Sequence, residues 1–412
     1  MQKTLMPPKW VRTTITLPSS KSISNRVLII NALSGSVYMP KNVSDCDDTQ
    51  VMVRALMEDN PVVDIMAAGT AMRFLTAYFA TIEGCVKTMT GTTRMQQRPI
   101  KVLVDALRQL GAQVEYAGND GFPPLNVKGC ILEKGQVTLQ GNVSSQYISA
   151  LLMIGPMLKE GLMLHLEGNI ISRPYINLTL QLMRDFGAEA DWVAEDEIRV
   201  MPKPYIPIPF TVESDWSAAS YWYEMVALAT DKEAKVVLPG LYANSYQGDS
   251  AVATIFKQLG VDTIYDKDSH SVTLCKSGHL VERFEYDLID QPDLAQTIVV
   301  TCAMLGIPFR FTGLQSLKIK ETDRMEALIC ELKKMGYLLR SENDCILEWT
   351  GERCQRLDDF AIDTYEDHRM AMAFAPASMV LGHLRINNPH VVTKSYPNFW
   401  EDLKKVGFSI DN

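Results

Sequence analysis

The sequence lacks the usual marks of a disulfide-stabilised, zinc-binding or membrane protein. Its eight cysteines are scattered and include no Cys-x-x-Cys pair, which argues against a disulfide or zinc framework and indicates a reducing compartment. No run approaches the roughly 20 apolar residues of a membrane span. Residues 1–8 have no continuous apolar stretch, so they do not read as a signal peptide. We therefore expect a cytoplasmic protein that binds no metal.

Basic charge is also scarce. Lys and Arg number 40 against 49 Asp and Glu, for a net charge of −9, which argues against general nucleic-acid binding. A hydrophobic content of 47% is ordinary for a globular chain. A chain of 412 residues exceeds one core, so two domains are the simplest partition.

An apolar helix recurs along the chain at a steady interval. Its openings are marked by Gly69, Ser145, Ser217, Asp293 and Asp367, at steps of 76, 72, 76 and 74 residues. Such regularity predicts one repeated structural unit. Each helix opens with small, polar or charged residues, and a helix N-terminus attracts anions through its free N–H groups. Several such openings in one chain predict a multiply negative ligand.

A second, amphipathic helix alternates with the first and ends at a glycine, the usual helix stop. These glycines are Gly111, Gly187, Gly260, Gly336 and Gly407, at steps of 76, 73, 76 and 71 residues. Strands are predicted after them, at residues 113–116, 263–265 and 337–339. A less regular pair of helices comes first, at residues 21–33 and 47–57. We therefore count six units, each with one buried helix, one surface helix and short strands.

The alternating prolines of residues 202–210 form a stiff segment that cannot be helical. This segment lies between the third and fourth units. We predict one domain at residues 16–212. The other would combine residues 213–412 with residues 1–15, whose strand could pair with the second half. A site between the domains would use helix openings from both.

Three polar segments of the first half suit phosphate and hydroxyl groups. Residues 17–26 form a hydroxyl-rich helix start that carries Lys21 and Arg26. This start lacks the glycine spacing of an ATP-binding loop, and a plain serine cap would also explain its serines. Gly69 allows a backbone to approach a ligand closely, and residues 144–146 offer two hydroxyls and an amide. Each signal is weak alone.

The second half offers candidates for proton transfer. Glu321 lies in a run of five polar residues between a strand and a helix, where flanking cations suit a proton donor or acceptor. Thr322 or Asp323 could instead cap that helix. Asp293 could be a cap or could face the site, since it shares its repeat position with Ser145 and Asp367. The His368 imidazole could be a metal ligand, a base or a positioning group, but no second His or Cys follows at ligand spacing.

Together these motifs resemble the 5-enolpyruvylshikimate-3-phosphate synthase branch of the enolpyruvyl transferase family. They occur in family order over nearly the whole chain, at residues 17–26, 68–73, 98–100, 144–146, 172–175, 292–293, 320–324, 367–372 and 394–397. The resemblance implies a two-domain inside-out α/β barrel, in which each domain has three copies of a βαβαββ-type unit with buried parallel helices. It also implies a monomer that uses no metal or organic cofactor.

The implied reaction joins phosphoenolpyruvate to the 5-hydroxyl of shikimate 3-phosphate and releases phosphate, in the synthesis of aromatic amino acids. The sugar hydroxyl adds to carbon 2 of phosphoenolpyruvate while its methylene carbon gains a proton. The tetrahedral intermediate then loses phosphate and a methyl proton.

The resemblance also assigns residues to the two substrates. Those for shikimate 3-phosphate are Ser22, Arg26, Ser144, Ser145, Gln146, Ser172, Tyr175, Asp293 and Lys320. Those for phosphoenolpyruvate are Lys21, Gly69, Arg98, Gln146, Arg324, Arg369 and Lys394. Four residues are expected to be catalytic: Asp293 takes the hydroxyl proton, Glu321 serves the methylene carbon, and Lys21 and Lys394 assist.

Three positions depart from the family pattern. Ala67 and Ser316 stand where Asn is usual, and Phe74 stands where proline is common. At Ala67 we expect a polar contact to be missing or replaced. We expect Phe74 to reshape the helix start and to alter tolerance of glyphosate, which competes with phosphoenolpyruvate in this family.

Two other functions remain open. The first is the related transferase acting on UDP-N-acetylglucosamine, which uses a reactive cysteine, whereas residues 320–324 and 367–372 resemble the shikimate branch. The second is a catalytically silent anion-binding homologue. Intact Asp293, Glu321 and Lys394 argue against a silent homologue.

Overall fold

The computed structural model describes residues 1–411. The chain forms two compact units, an N-terminal unit (Ser19–Val212) and a C-terminal unit (Met1–Pro18 with Glu213–Asn412). The first boundary lies at Ser19 rather than at residue 16. The backbone shows why, since the Ile15 N–H donates to the Val237 carbonyl and the Asp215 N–H donates to the Pro18 carbonyl. Residues 15–18 are thereby joined to the second half of the chain.

The first 18 residues carry two strands that belong to the C-terminal unit: β1 (Gln2–Met6) and β2 (Arg12–Thr14). The elements of the N-terminal unit follow in chain order: α1 (Lys21–Leu33), α2 (Asp47–Met57), β3 (Val62–Asp64), α3 (Gly69–Thr81), β4 (Val86–Thr90), α4 (Lys101–Gln109), β5 (Gln113–Tyr116), β6 (Leu125–Lys128), β7 (Gln136–Gln140), α5 (Ser145–Ile154), β8 (Leu162–Glu167), α6 (Arg173–Asp185), β9 (Ala190–Trp192) and β10 (Glu197–Val200). Short 3₁₀ turns lie at Met95–Gln97 and Gly155–Met157.

The C-terminal unit continues the same alternation. Its elements are α7 (Trp216–Leu228), β11 (Lys235–Pro239), α8 (Val252–Lys257), β12 (Leu259–Asp266), β13 (Ser271–Leu280), β14 (Phe284–Asp287), α9 (Ala295–Leu305), β15 (Phe309–Thr312), α10 (Arg324–Lys334), β16 (Arg340–Glu342), β17 (Ile346–Trp349), α11 (His368–Phe374), α12 (Ser378–Leu381), β18 (Leu384–Asn387), α13 (Phe399–Lys405) and β19 (Ser409–Asp411). Short 3₁₀ turns lie at Gly248–Ala251, Pro292–Leu294, Gln315–Ile319, Ala375–Ala377 and Pro389–Lys394.

Four sheets repeat one topology. Their strand orders are β3-β4-β6-β5, β7-β8-β10-β9, β2-β11-β13-β12 and β14-β15-β17-β16. In each sheet the first two strands are parallel, and the other pairings are antiparallel. A parallel pair needs a crossover, and a buried helix supplies it in three of the sheets. In the sheet of β2 and β11, the crossover also contains the whole N-terminal unit.

The other two units of the repeat are completed by distant parts of the chain. In the last unit, β1 lies between β18 and β19, antiparallel to both, and Ile362 forms a parallel bridge with Ile386. In the first unit, α1 and α2 are accompanied by a parallel bridge between Lys41 and Thr211. The strand from the start of the chain therefore holds residues 213–412 in the same unit as residues 1–18.

Six helices (α1, α3, α5, α7, α9 and α11) form the cores of the N-terminal and C-terminal units, and the amphipathic helices cover them. Each unit has one contiguous hydrophobic core of its own. The predicted glycine stops have positive φ, from 82° at Gly187 to 105° at Gly407, which only glycine adopts cheaply. None of the described helices is long and apolar enough to cross a membrane.

Two predicted boundaries are wrong. The strand expected at residues 337–339 lies at Arg340–Glu342, because β16 is set by its pairing with β17. Gly260, predicted to follow a helix directly, lies inside β12, since α8 already ends at Lys257. The prolines of residues 202–210 are outside regular secondary structure, as expected from their fixed φ.

Candidate active site

The buried helices of the N-terminal unit begin at the same end of the unit. The Gln146 amide, in the first turn of α5, donates to the Thr70 hydroxyl in the first turn of α3 at 3.0 Å. Arg26 of α1 donates to Ser149 of α5 at 3.1 Å and to Thr179 of α6 at 2.7 Å. The first turns, with their free N–H groups, therefore lie together in a region that favours anions.

The residues that the sequence predicts for this unit lie in or near the beginnings of these helices. We call them the first cluster: Lys21, Ser22, Arg26, Gly69, Arg98, Ser144, Ser145, Gln146, Ser172 and Tyr175. The Arg26 guanidinium ties part of the set by donating to the carbonyls of Ser22 at 2.9 Å and Tyr175 at 3.4 Å. Ser172 precedes α6 in a left-handed conformation, with φ of 55°.

Arg26 is a buried cation without a carboxylate partner. Among residues 1–411 its guanidinium donates only to hydroxyl and carbonyl oxygens. Burial lowers the pKa of Arg26 to about 10. Neutral acceptors satisfy its N–H groups but leave its charge uncompensated. An anionic group bound nearby would supply that compensation.

Two arginines crowd the backbone at the start of α3. A Cβ on Gly69 would lie 2.7 Å from Arg98 Nη1 and 2.8 Å from Arg73 Nη1. Arg73 donates to the Gly69 carbonyl at 2.8 Å, and its guanidinium lies 4.9 Å from the ring centroid of Tyr147. The Tyr147 hydroxyl donates to the Pro99 carbonyl at 2.6 Å. The missing side chain of Gly69 thus makes room for both cations, and Tyr147 holds the segment next to Arg98.

Lys21 begins α1 and is paired with an acid of the neighbouring surface helix. Its Nζ lies 3.3 Å from the Asp48 carboxylate. The serine caps considered from the sequence do occur at two positions. The Ser20 hydroxyl accepts from the Ile23 N–H, and the Ser144 hydroxyl accepts from the Gln146 N–H. Ser20 and Ser144 therefore cap α1 and α5.

The C-terminal unit gathers its predicted residues into an ion-pair network. We call them the second cluster: Asp293, Lys320, Glu321, Arg324, Arg369 and Lys394. Asp293 Oδ1 lies 3.3 Å from Lys320 Nζ and 3.2 Å from Arg324 Nη1. Asp293 Oδ2 lies 2.8 Å from Arg369 Nη2. One carboxylate therefore joins three cations from two segments of the chain, residues 320–324 and Arg369.

Arg324 is the most deeply buried cation of this network. Its Nε lies 2.7 Å from the fully buried Asp367 carboxylate, and its Nη2 lies 2.8 Å from Glu321. Burial by itself lowers the pKa of Arg324, yet the surrounding carboxylates outweigh burial and hold that pKa above its ordinary value. Arg324 is thus a permanent, fixed charge.

Lys394 joins the network through the backbone. Its Nζ donates to the Glu366 carbonyl at 2.8 Å. The next residue, Asp367, caps α11 by accepting from the Arg369 N–H at 2.9 Å and also binds Arg324. Residues 366–367 therefore hold a lysine and an arginine of the second cluster side by side.

The acids of the second cluster differ in their access to a ligand. The side chains of Asp293 and Glu321 are 20% and 22% exposed, whereas Asp367 is fully buried. Asp293 lies in the 3₁₀ turn before α9, and its carboxylate binds cations. The cap of α10 is Asp323, which accepts from the Glu326 N–H at 3.1 Å. Asp293 and Glu321 are thus partly open to solvent, whereas Asp367 is enclosed and holds Arg324.

The chain is similar to known proteins of one family. A sequence model of EPSP synthase (3-phosphoshikimate 1-carboxyvinyltransferase) matches residues 55–403. A 3-phosphoshikimate 1-carboxyvinyltransferase of Bacteroides fragilis is 60% identical over 410 residues, which cover 100% of this chain and 99% of the relative. The chain belongs to the EPSP synthase family.

More distant relatives carry the same names. A 3-phosphoshikimate 1-carboxyvinyltransferase of Idiomarina loihiensis is 35% identical and covers 98% of both chains. A solved structure of EPSP synthase from Acinetobacter baumannii superposes with a TM-score of 0.78 at 20% identity, over 100% of both chains. This structural likeness shows the fold. The fold class predicted from the sequence, a two-domain inside-out α/β barrel, is confirmed, as is the resemblance to EPSP synthases.

Several residues that contact the two clusters were not predicted from the sequence as site residues. Asp367, Asp48 and Tyr147 each hold a predicted cation or its segment, and Arg73 lies beside Arg98. Arg73 and Asp367 lie within the family motifs, so their positions in those motifs could have identified them as site residues. Asp48 gave none, because its pairing with Lys21 depends on the packing of two helices.

Two other residues of the EPSP synthase motifs have defined surroundings. Phe74 is fully buried in α3, and its ring centroid lies 5.4 Å from the Arg26 guanidinium. His368 is buried, with Nδ1 3.7 Å from the Asp367 carboxylate. Within residues 1–411 no group of three or more His, Cys, Asp and Glu side chains could hold a metal ion. Phe74 thus helps to enclose Arg26.

Proposed function

We propose that the chain transfers the enolpyruvyl group of phosphoenolpyruvate to the 5-hydroxyl of shikimate 3-phosphate and releases phosphate. The observation that carries the proposal is the gathering of family-motif cations and acids at helix beginnings in each unit. Both substrates carry a phosphate and a carboxylate, so their mutual repulsion must be offset by fixed cations. The family relationship supports the same reaction.

The binding roles follow the motif assignments. For shikimate 3-phosphate these are Ser22, Arg26, Ser144, Ser145, Gln146, Ser172, Tyr175, Asp293 and Lys320. For phosphoenolpyruvate they are Lys21, Gly69, Arg98, Gln146, Arg324, Arg369 and Lys394. The uncompensated charge of Arg26 supports its role toward an anion.

Asp293 and Glu321 are the proposed proton carriers. Without substrate, Asp293 is held by Lys320, Arg324 and Arg369. A bound anion competes for these cations and releases the Asp293 oxygens to accept the hydroxyl proton. Glu321 then gives a proton to the methylene carbon during addition and takes one back during elimination. Lys21 and Lys394 stabilise the charge on the phosphate and carboxylate of phosphoenolpyruvate.

The test is phosphate release from phosphoenolpyruvate, measured with and without shikimate 3-phosphate. We expect release only with both substrates, and UDP-N-acetylglucosamine as acceptor separates the related transferase. Asp293→Asn and Glu321→Gln should each lower kcat by about a hundredfold or more, the scale of general acid–base catalysis. Glu326→Gln, an exposed change on α10, is the matched control and should keep normal turnover.

Two outcomes would reject parts of the proposal. Near-normal turnover in both acid variants would refute the proton-transfer roles. Absence of phosphate release from the unaltered protein with both substrates would favour a silent anion-binding homologue instead.

We further propose that the protein acts in the cytoplasm as a monomer, without a metal or organic cofactor. All eight cysteines are unpaired, which suits a reducing compartment. Light scattering after gel filtration tests the monomer, and turnover in the presence of a chelator tests the independence from metal.

A further inference from the structure

A short segment of the C-terminal unit is held in an unfavourable conformation beside the second cluster. Tyr365 and Glu366 both have positive φ, at 53° and 58°. Residues other than glycine rarely adopt this region, and two in succession persist only where the surroundings enforce them. The segment leads directly into Asp367. Contacts with neighbouring residues must therefore stabilise this conformation.

Hydrogen bonds on one side of the segment stabilise its conformation. Glu331 is fully buried near the end of α10. Its Oε1 accepts from the Tyr365 hydroxyl at 2.6 Å, and its Oε2 accepts from the Asp363 N–H at 3.1 Å. Lys334 compensates the charge, with Nζ 2.8 Å from the carboxylates of both Glu331 and Asp363. Glu331 thus holds the segment through two hydrogen bonds, one to Tyr365 and one to Asp363.

The other side of the segment holds two cations of the second cluster. The Glu366 carbonyl accepts from Lys394 Nζ at 2.8 Å. The Asp367 carboxylate binds Arg324 Nε at 2.7 Å. The direction of the Glu366 carbonyl depends on the positive φ of the residues around it. A change at Glu331 would therefore reach Lys394 through the backbone of the segment.

We propose that Tyr365 and Glu331 are positioning residues, whose hydrogen bond holds the Tyr365–Glu366 backbone so that Lys394 and Arg324 face phosphoenolpyruvate. This inference rests on the proposed function for the substrate, since it takes both cations as contacts of phosphoenolpyruvate. Neither Tyr365 nor Glu331 touches the substrate in this scheme. Burial and the nearby Glu331 raise the pKa of Tyr365 above its ordinary value, so its hydroxyl remains a donor.

The main test is Tyr365→Phe, which removes one hydroxyl and keeps the ring. We expect the KM for phosphoenolpyruvate to rise about tenfold, the scale of one lost hydrogen bond to a charged acceptor. The KM for shikimate 3-phosphate should stay unchanged. Labelling of Lys394 by trinitrobenzenesulfonate, followed by peptide mass mapping, should become several-fold faster. That readout needs no turnover.

The matched control is Tyr223→Phe in the same unit. Tyr223 is fully buried, whereas Tyr365 is 38% exposed, and the Tyr223 hydroxyl shares a 2.8 Å hydrogen bond with Thr263 in β12. This change should lower stability without altering either KM or the labelling of Lys394. Glu331→Gln serves as a second variant, since it weakens the acceptor at the other end of the bond, and should show the same selective rise in KM.

The outcomes separate this inference from the proposed function. If the unaltered protein releases no phosphate, the proposed function fails, and the labelling rate of Lys394 alone decides the positioning role. If Tyr365→Phe and Glu331→Gln match Tyr223→Phe in labelling and in both KM values, the positioning role is refuted. A uniform loss of kcat with unchanged KM and labelling would also refute it.

Discussion

Arg26 and Arg324 are the same kind of side chain in the same kind of place, yet their surroundings are opposite. Both are buried guanidinium groups close to the start of a helix, one in each unit. Arg26 is bonded to hydroxyl and carbonyl oxygens, and burial lowers its pKa to about 10. Arg324 is surrounded by carboxylates that overcome burial and hold its pKa above the ordinary value.

The contrast indicates different uses of positive charge. The charge of Arg26 is left uncompensated by the described residues, so it can be compensated by a ligand at a gain in stability. The charge of Arg324 is already compensated, so its value lies in a fixed position and in its hold on acids that can carry protons. This contrast supports the proposal that the N-terminal unit receives an anion and that the C-terminal unit orients charged groups.

The largest expected effect comes from breaking the pairing around Arg324. Asp367→Asn keeps the size of the side chain but removes the buried charge closest to the guanidinium. We expect a loss of about 3–5 kcal/mol in the free energy of unfolding, the usual result of uncoupling a buried pair. Urea denaturation followed by tryptophan fluorescence can measure it, because Trp216, Trp222, Trp349 and Trp400 lie in the same unit.

Asp359→Asn is the control for that measurement. Asp359 is 85% exposed and pairs with Arg385, so its loss should leave the midpoint nearly unchanged. Equal effects of the two changes would show that the pairing around Arg324 contributes no more than a surface ion pair.

The second prediction concerns Arg26→Gln. The hydroxyls it leaves keep a bond to each other, since Ser149 and Thr179 are 2.8 Å apart. We therefore expect a stability loss of at most about 1 kcal/mol. The KM for shikimate 3-phosphate should rise by about tenfold to a hundredfold, because a charged hydrogen-bond donor is lost. Steady-state kinetics and urea denaturation on one preparation measure both quantities.

Arg108→Gln is the matched control in the same unit. Arg108 donates to the Val114 carbonyl at 2.9 Å on a surface helix. It should leave both KM values alone. If Arg26→Gln unfolds the unit as strongly as Asp367→Asn unfolds the other, the distinction between an uncompensated and a compensated arginine is lost.

The third prediction tests a buried acid that has no partner within residues 1–411. Both carboxylate oxygens of Glu224, in α7, lack a hydrogen bond, and burial raises its pKa well above 4.5. Above pH 4.5 the unfolded chain loses this proton while the folded chain retains it. Stability contributed by the neutral form is therefore complete below that pH and is lost as the pH rises toward the folded pKa.

Glu224→Gln should consequently be more stable than the unaltered protein at pH 8, with the advantage shrinking toward pH 4.5. Its growth with pH is limited to about 1.4 kcal/mol for each pH unit. Urea denaturation across the pH range measures the difference, with the exposed Glu282→Gln as control. A constant difference between the two variants at every pH would contradict a protonated Glu224.

Local signals made much of the fold predictable. The bounds of α1 and α2 match the prediction because apolar periodicity is encoded within a few residues, and α1 also has a serine cap. The glycine stops at residues 111, 187, 336 and 407 were predictable for the same reason. The strand after Gly336 was misplaced because β16 is fixed by β17, which is a pairing across the sheet.

The candidate site divides in the same way. Helix beginnings and their cations are visible in the sequence, because a helix start is a local feature. Their partners are not, because Lys21 meets Asp48 and Arg324 meets Asp367 only after helices pack. The two arginines look alike as sequence. The surroundings of Arg324 depend on Asp367, which is 43 positions further along the chain. Those of Arg26 depend on the packing of three helices.

The smallest expected effect comes from Gly69→Ala, which adds one methyl group beside two cations. The new Cβ would lie 2.7 Å from Arg98 Nη1 and 2.8 Å from Arg73 Nη1, both at the ends of flexible side chains. These ends can shift, and alanine favours a helix over glycine, so stability should change by less than about 1 kcal/mol. The KM for phosphoenolpyruvate should rise while that for shikimate 3-phosphate stays level, because Arg98 is displaced and Arg26 is not. Equal rises in both KM values would mean that Gly69→Ala disturbs the whole first cluster. The separate roles of Arg98 and Arg26 would then be refuted.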